Sequence, residues 1–319
     1  MKKFHPDWVL WVCLSDEHPP GFQFDIVDEL FDHVLWARDL APTATNAWIF
    51  KHNVIELCTA VKGLCLNAIL SAGAEAVIYI DPDIALFGPL GSVVEALTTN
   101  SVVLTPHLVD AEVTKSAIWE NERSALMHGV YNLGFLAVRN SREGRRFGSW
   151  WQDRLIEFCY EAAEQGVYTD QRWCDLVPAF FEEVFVLRDP GYNVASWNLS
   201  RRFLTTNKSG DILVNGSPLR FYHFTKVEGP GAAMIERYGL GSPIVFELLE
   251  WYRSAIGRCQ PAGIPPKWWA YGQYSDGTAI NYQDRVLYRS EPGMRERFPE
   301  PFEADTYLAW LRSEGQRAV

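Results

Sequence analysis

Hydrophobic and polar positions alternate along the chain in blocks that predict short buried strands separated by helices. The clearest apolar, strand-forming runs cover residues 8–14, 77–80, 101–105 and 131–138. Within 53–72, apolar positions recur every three or four residues, which predicts a helix with one buried face. Helical patterns over 144–165 and 171–181 predict two further helices. Strands that alternate with helices are typical of an α/β domain with a largely parallel sheet, and we expect this class here.

The texture of the sequence changes after about residue 228. Gly and Pro become dense near 229–231 and 263–266, and helical patterns occur at 243–256 and 304–313. We therefore predict an α/β domain over residues 1–227, followed by a helical, loop-rich extension over 228–319.

Charge and cysteine content narrow the range of functions. The 319 residues carry a net charge of −11, which makes nucleic acid an unfavourable partner and means that an anionic ligand would need a local cation. The six cysteines include no Cys-x-x-Cys pair, which indicates reduced thiols in a cytoplasmic protein. We find no run of 18 apolar residues and no signal-peptide pattern, and so predict no transmembrane segment.

Two carboxylates stand at the end of the predicted strand 77–80, in the sequence Asp81-Pro82-Asp83. In open α/β sheets this edge is where ligands bind, and paired carboxylates can share a hard divalent cation. Asp-Pro-Asp could instead simply form a turn, because Asp and Pro both favour turns. A phosphatase with a nucleophilic aspartate is a third interpretation, which Ala85 at the fifth position of the motif argues against.

Residues 77–84 resemble the Asp-x-Asp region of GT-A glycosyltransferases. Three later segments are similar, in the expected order, to further elements of retaining, family-8-like bacterial members: Gly129–Phe135, Tyr168–Gln171 and Phe221–Phe224. The resemblance covers roughly residues 45–225, and residues 189–198 and 271–289 are similar to one bacterial subfamily.

The resemblance implies a set of site residues. The implied metal ligands are Asp81, Asp83 and His223. The implied contacts to the nucleotide-sugar are Lys62, Asp81, Asp83, Asn132, Gly134 and Lys226. The implied catalytic pair is Asp170 and Gln171, and the acceptor side would comprise Asp189, Tyr192, Asn193 and Trp197.

Each of these residues also has a purely structural interpretation. His223 could be a hydrogen-bonded core histidine, Asn132 a turn cap, Gly134 a strand bulge and Asp170 a helix N-cap. Trp197 could serve packing instead of stacking on a sugar. The two lysines could be solvated surface residues.

The activity implied by the resemblance is a metal-dependent sugar transfer. Mn²⁺ or Mg²⁺ would hold a nucleotide-diphosphate sugar, with UDP as the nucleotide, and the sugar would pass with retention to a hydroxyl of a glycan acceptor. The expected setting is bacterial surface polysaccharide synthesis, in the cytoplasm or at the inner membrane face.

The sequence also departs from the family pattern. The first strand–helix unit, which cradles the nucleotide base, is not recognisable, and Thr225-Lys226 stands where small residues are usual. Either the start is internal, or donor binding is weak, or a second copy of the chain covers the exposed sheet edge. An inactive sugar-nucleotide-binding or scaffold protein is therefore one alternative function, and an Asp-dependent phosphohydrolase is the other.

Overall fold

The computed structural model describes residues 1–22, 25–259 and 263–317, and the fold is mixed α/β, as the alternation of elements predicts. The predicted extension 228–319 therefore includes five residues that lie outside the described part of the chain. The strands are β1 (Trp11–Leu14), β2 (His33–Trp36), β3 (Ala76–Ile80), β4 (Ile84–Leu86), β5 (Val102–Pro106), β6 (Tyr131–Arg139), β7 (Glu161–Ala162), β8 (Val167–Tyr168), β9 (Val184–Val186), β10 (Val194–Ala195), β11 (Leu204–Thr206), β12 (Ile212–Val214), β13 (Ser217–Pro218) and β14 (Phe221–His223).

The helices are α1 (Ala37–Leu40), α2 (Thr45–Phe50), α3 (Val54–Ala60), α4 (Lys62–Ser71), α5 (Gly91–Thr99), α6 (Lys115–Ala117), α7 (Arg123–His128), α8 (Arg142–Phe158), α9 (Val177–Phe180), α10 (Pro230–Tyr238), α11 (Ile244–Arg258), α12 (Tyr282–Ser290), α13 (Met294–Arg297) and α14 (Ala309–Arg317). Two π-helical segments, Ile118–Glu122 and Ala304–Leu308, precede α7 and α14.

Three helix predictions differ from the structure in their boundaries. The helix predicted over 53–72 forms as α3 and α4, with Asn53 and Glu56 in a reciprocal capping box at the start of α3. The helix predicted to reach 165 ends at Phe158, where Glu161 is held by hydrogen bonds to Asn53 and Glu56. The segment predicted over 171–181 forms a 3₁₀ turn followed by α9.

The chain divides into two compact units, each assembled from separate stretches of sequence. The first comprises residues 1–8, 67–151 and 162–260, and the second comprises 9–66, 152–161 and the remaining C-terminal residues. The predicted boundary between residues 227 and 228 falls inside the first unit, and a domain division at that point stays a prediction.

The main sheet of the first unit has the strand order β3-β6-β5-β9. β5 and β9 pair in parallel, whereas β6 runs antiparallel to both β3 and β5. Three of the four strands therefore point in one direction, which agrees with the predicted, largely parallel sheet, and β6 is inserted against them. Buried apolar residues of α5 and the sheet, such as Val93, Val103 and Phe135, form a core on this sheet.

The strand β6 contains a bulge close to its start. Leu104 pairs with Leu136, but Pro106 pairs with Tyr131, so a two-residue step on β5 lies opposite a five-residue step on β6. The extra residues include Asn132 and Gly134. Bulges of this kind release residues from the ladder and redirect their side chains.

A smaller sheet of the first unit has the order β10-β14-β4. β14 pairs antiparallel with β4, so that His223 faces Ile84, and pairs in parallel with β10, so that His223 also faces Ala195. β4 begins three residues after Asp81, and the small sheet therefore brings β14 back to the end of β3.

The second unit contains the two-stranded parallel sheet β1-β2 and an aromatic core around Phe50, Tyr274, Tyr288 and Tyr307. The predicted absence of a strand–helix unit before β1 stays a prediction. Within the described part of the chain, one helical stretch, Val54–Ser71, has the length and mean hydropathy (1.6) of a membrane span, in contrast to the prediction of no such segment. It is 44% buried within the fold, and core helices have the same composition, so it is weak support for a span.

Candidate metal centre

The Asp81-Pro82-Asp83 segment is a tight turn between β3 and β4. The Asp81 N–H donates to the carbonyl oxygen of Gly134 at 2.8 Å and extends the ladder between β3 and β6. The Ile84 N–H donates to the carbonyl oxygen of Asp81 at 3.0 Å, which closes a four-residue turn with proline at its second position. The turn and the metal-site interpretations are thus compatible, because the turn presents both carboxylates.

His223 reaches this turn from the end of β14. The Phe224 N–H donates to the carbonyl oxygen of Asp83 at 2.8 Å, which fixes the backbone of β14 against the turn. Nε2 of His223 lies 2.9 Å from Oδ1 of Asp83 and 3.9 Å from Oδ2 of Asp81. One ligand atom from each of the three residues lies within 4.8 Å of the others.

A hydrogen-bonded relay behind His223 fixes the orientation of its ring. His107 donates from Nδ1 to the carbonyl oxygen of Val130 at 3.3 Å, and its Nε2 accepts from Nδ2 of Asn132 at 3.4 Å. Oδ1 of Asn132 then accepts from Nδ1 of His223 at 3.1 Å. In the neutral ring, the proton on Nδ1 leaves the lone pair of His223 on Nε2, the nitrogen that faces the two carboxylates.

This arrangement fits a bound divalent cation. Nε2 of His223 and the two carboxylates converge on one point, and a cation there would offset the repulsion between the two carboxylates. Oxygen ligands with one imidazole suit Mn²⁺ and, less well, Mg²⁺. The Asp83 side chain is 35% exposed, so the site also has an open side from which a ligand can enter.

Burial lowers the pKa of His107 to about 4, so this imidazole is neutral near pH 7 and can accept from Asn132. Trp197 packs edge-on against both histidines, with ring centroids 5.3 Å from each. Nε1 of Trp197 donates to the carbonyl oxygen of His107 at 3.1 Å. Trp197 therefore has a packing role next to the candidate metal ligand His223. Its predicted acceptor role stays a prediction.

Gly134 is the position in β6 at which the imidazole of His223 rests. A Cβ atom on Gly134 would lie 2.5 Å from Cε1 and 2.9 Å from Nδ1 of His223. Any side chain at this position would force the His223 ring or the strand to move. Gly134 thus serves the site by allowing this close approach, and a donor contact from it stays a prediction.

Two tyrosines adjoin the carboxylates. Tyr79 donates its hydroxyl to Oδ1 of Asp81, on the side away from His223. Burial and the nearby charge of Asp83 raise the pKa of Tyr252, whose ring stacks on Phe224 at 4.1 Å. Tyr252 is therefore close enough to Asp83 for the charge of that carboxylate to affect it.

The predicted catalytic pair lies near the chain segment that leads into β6. Asp170 is 2% exposed, accepts from the Thr169 hydroxyl at 3.1 Å, and is not the cap of the following 3₁₀ turn. Gln171 donates from Nε2 to the carbonyl oxygen of His128 at 2.9 Å. Their catalytic roles stay predictions.

The predicted acceptor residues belong to a buried loop. Asp189 accepts from the N–H of Gly191 at 2.8 Å in a local turn. Tyr192 and Asn193 are each 1% exposed, and Asn193 donates to the carbonyl oxygen of Pro106 at 3.1 Å. Contact between an acceptor and either of these two side chains would require this loop to open.

The two predicted phosphate-binding lysines differ in environment. Lys226 is exposed in the loop after β14, with a left-handed backbone (φ 50°). Lys62 is 7% exposed at the start of α4 in the second unit. Their contacts to a donor phosphate stay predictions.

Our sequence reasoning missed His107 and Tyr252. His107 directly follows β5, which runs in the same direction as β3, so both strands end at the same edge of the sheet as Asp81. This placement was a usable signal for His107. Tyr252 lies in α11, far along the chain, and no local pattern indicates its position.

Comparison with known proteins gives partial matches. No family model matches the chain. Among curated proteins, the uncharacterized proteins YfnF and YfnD of Bacillus subtilis (strain 168) are 30% and 28% identical over 173 and 174 residues. These alignments cover 53% of this chain and 56% and 53% of the relatives, so the chain spans about half the length of the curated relatives that it matches.

Two solved structures, of a xylosyltransferase and a galactosyltransferase, are similar to part of the fold. Mouse xyloside xylosyltransferase 1 in its apo form aligns with a TM-score of 0.35 and 12% identity, over 63% of this chain and 78% of that one. Galactosyltransferase LgtC, in complex with donor and acceptor sugar analogues, aligns with a TM-score of 0.37 and 13% identity, over 76% and 90%. Likenesses at this level assign no role to any residue of this chain.

Proposed function

We propose that this protein is a metal-dependent glycosyltransferase that uses a nucleotide-diphosphate sugar. The observation that carries the proposal is the convergence of Asp81, Asp83 and the lone pair of His223 at the edge of the main sheet. The sequence resemblance required this contact between residues about 140 positions apart. It also singled out Asn132 and Gly134, the two residues that orient and seat the His223 ring.

The residues of the chain have separable tasks in this proposal. Asp81, Asp83 and His223 hold the cation, and Asn132 and His107 keep the His223 lone pair on Nε2. When bound, the cation supplies Lewis-acid stabilisation of the departing nucleoside diphosphate. With a net charge of −11, the protein depends on this local positive charge to hold an anionic donor.

The finer features of the proposal come from the resemblance. They are a UDP-sugar donor, transfer with retention, and a role in bacterial surface polysaccharide synthesis at the cytoplasmic side of the membrane. Lys226 and Lys62 would neutralise donor phosphates, and Asp170 would hold sugar hydroxyls. Gln171 would lie near the anomeric carbon, with the acceptor approaching past Asp189 and Trp197.

The test is a thermal-shift panel of nucleotide-sugars with Mn²⁺, with Mg²⁺ and with EDTA. A ligand at 100 times its dissociation constant stabilises the fold by about 2.7 kcal/mol, which raises the melting temperature by several degrees. We expect such a shift for one donor class, only when metal is present, and its loss in Asp83→Asn. The exposed Asp7→Asn is the matched control and should behave as wild type.

Turnover then separates the proposal from its alternatives. A glycosyltransferase releases nucleoside diphosphate faster when an acceptor is added. Phosphate release without sugar-nucleotide dependence would indicate a phosphohydrolase. Metal-dependent donor binding without turnover by any acceptor would indicate a binding or scaffold protein.

A further inference from the structure

A surface groove lies along one face of the helical segment from Lys115 to His128 in the first unit. Its volume is about 490 Å³, in the range of pockets that hold small ligands. Seven lining residues follow the i, i+3, i+4, i+7 pattern of one helix face, and the eighth comes from α10: Ser116, Trp119, Glu120, Arg123, Ser124, Met127, His128 and Arg237.

The floor of the groove carries an exposed aromatic side chain. Trp119 is 68% exposed, which is unusual for a tryptophan and leaves a ring face available for stacking. It lies in the π-helical turn Ile118–Glu122, and π-helical turns occur frequently at functional sites. Ser116 and Ser124 also line the groove, and an exposed aromatic ring with hydroxyl groups in the same groove is a chemistry that binds sugar rings.

Positive charge in the groove is in excess. The guanidinium of Arg123 lies 4.7 Å from the centre of the Trp119 ring, and among the described residues it has no carboxylate partner. Across the groove, Arg237 is paired with Glu120, which also accepts from the Tyr238 hydroxyl. Two guanidinium groups therefore line the groove against one carboxylate, in a protein whose net charge is −11.

The groove ends at the chain segment that enters the metal centre. The carbonyl oxygen of His128, its last residue, accepts from Gln171 at 2.9 Å. Two residues later Val130 accepts from His107, and four residues later Asn132 contacts His223. Four residues of chain thus join the last groove residue, His128, to Asn132 beside the proposed donor site.

We propose that this groove binds an anionic glycan, through stacking on Trp119 and ion pairing with Arg123, as the acceptor of the sugar transfer. The acceptor role rests on the proposed function, whereas the binding itself does not. The anionic group is a carboxylate or a phosphate carried by the sugar chain, since a planar guanidinium pairs with either.

The test is calorimetric titration of the full chain, without donor or metal, with trigalacturonic acid, maltotriose and inorganic phosphate. We expect trigalacturonic acid to bind at least tenfold more tightly than maltotriose, and phosphate alone to bind weakly. Trp119→Ala and Arg123→Gln should each lower the affinity for trigalacturonic acid about tenfold. Leu126→Ala is the matched control because Leu126 is 66% exposed in α7 but does not line the groove.

Three other outcomes would overturn the proposal. Equal affinity for trigalacturonic acid and maltotriose would remove the anionic preference, and phosphate that competes as strongly as the glycan would indicate a simple anion site. Binding that is insensitive to both Trp119→Ala and Arg123→Gln would place the ligand elsewhere. A maltotriose phosphate that binds when trigalacturonic acid does not would identify phosphate as the anionic group and support the proposal.

The thermal shift that a nucleotide-sugar causes in the presence of metal tests the proposed function independently of glycan binding in the groove. If the donor shift occurs and the groove binds no glycan, only the acceptor inference fails. If the groove binds but no donor shift occurs with any metal, the proposed function fails and the groove remains a glycan-binding site.

Discussion

At the scale of single residues, the candidate metal centre depends on which nitrogen of His223 carries the proton. Asn132 decides this, because its amide oxygen can only accept from Nδ1–H. His107 in turn orients the Asn132 amide by accepting from its nitrogen. Asn132 and His107 therefore control whether Nε2 of His223 has a lone pair for the cation, although neither residue contacts Nε2.

Replacing Asn132 tests this relay. Asn132→Leu removes the acceptor of the His223 proton, and we expect Mn²⁺ affinity to fall by about 10–100-fold, as is usual when a residue supporting a metal ligand is lost. Asn132→Asp keeps an acceptor at the same place and should retain most of the affinity. Mn²⁺ titration monitored by electron paramagnetic resonance measures both variants.

The reverse ranking would count against the relay. If Asn132→Asp lost as much Mn²⁺ affinity as Asn132→Leu, the position would matter only for packing. Melting temperatures of the two variants, measured without metal, check that both fold.

At the scale of elements, the turn at Asp81–Ile84 and the sheet β10-β14-β4 bring together residues that are far apart in sequence. Proline restricts the turn after Asp81, and the pairing of β4 with β14 delivers His223 to it. The bulge in β6 then releases Asn132 and Gly134 from the ladder with β5. Three short elements thus assemble one site that none of them forms alone.

Gly134→Ala tests the contact between β6 and the imidazole. The added methyl would lie 2.5 Å from Cε1 of His223, so the ring or the strand must move. We expect a loss of about 1–3 kcal/mol in the free energy of unfolding, together with weaker Mn²⁺ binding. Urea unfolding and Mn²⁺ titration measure the two effects.

Gly257→Ala is the matched control for this substitution. Gly257 lies in α11, and a Cβ there meets nothing within 4 Å. This change should leave Mn²⁺ binding unaltered and stabilise the helix by about 0.5–1 kcal/mol. A Gly134→Ala protein as stable and as metal-competent as this control would contradict the close contact.

The sequence predicts the candidate metal ligands better than it predicts the residues that surround and orient them. The strand 77–80, the carboxylates Asp81 and Asp83, and the late His223 follow from local patterns and resemblance. His107 was missed although its place after β5 indicates this edge of the sheet. Tyr252 was missed because its position depends on how α11 packs. Such contacts depend on tertiary packing, which hydrophobic periodicity does not encode.

At the scale of the whole molecule, buried polar groups make the stability of the fold depend on pH. His52 is fully buried, and among the described residues neither of its ring nitrogens has a hydrogen-bond partner. Burial, with the charge of Lys51 adding to it, holds the pKa of His52 well below its usual 6.5. Folded His52 therefore stays neutral where unfolded His52 takes up a proton.

The fold should lose stability as the pH falls below 6.5. The unfolded state binds the extra proton there, so at pH 5.5 the loss from a histidine that stays neutral in the fold is about 1.4 kcal/mol. His52→Phe should remove this part of the pH dependence, whereas the exposed His33→Phe should not. Urea unfolding at pH 7.5 and pH 5.5 measures the difference. Equal pH dependence in wild type and His52→Phe would refute the prediction.

The longer step on β6 between Tyr131 and Leu136 also gives a criterion for judging distant relatives of this chain. Deleting three residues there would equalise the steps on β5 and β6 and make the sheet more regular. It would also remove the residues that aim and seat His223. Segment length at this one place should therefore separate relatives that can form the candidate metal centre from those that cannot, even where both keep the aspartate pair.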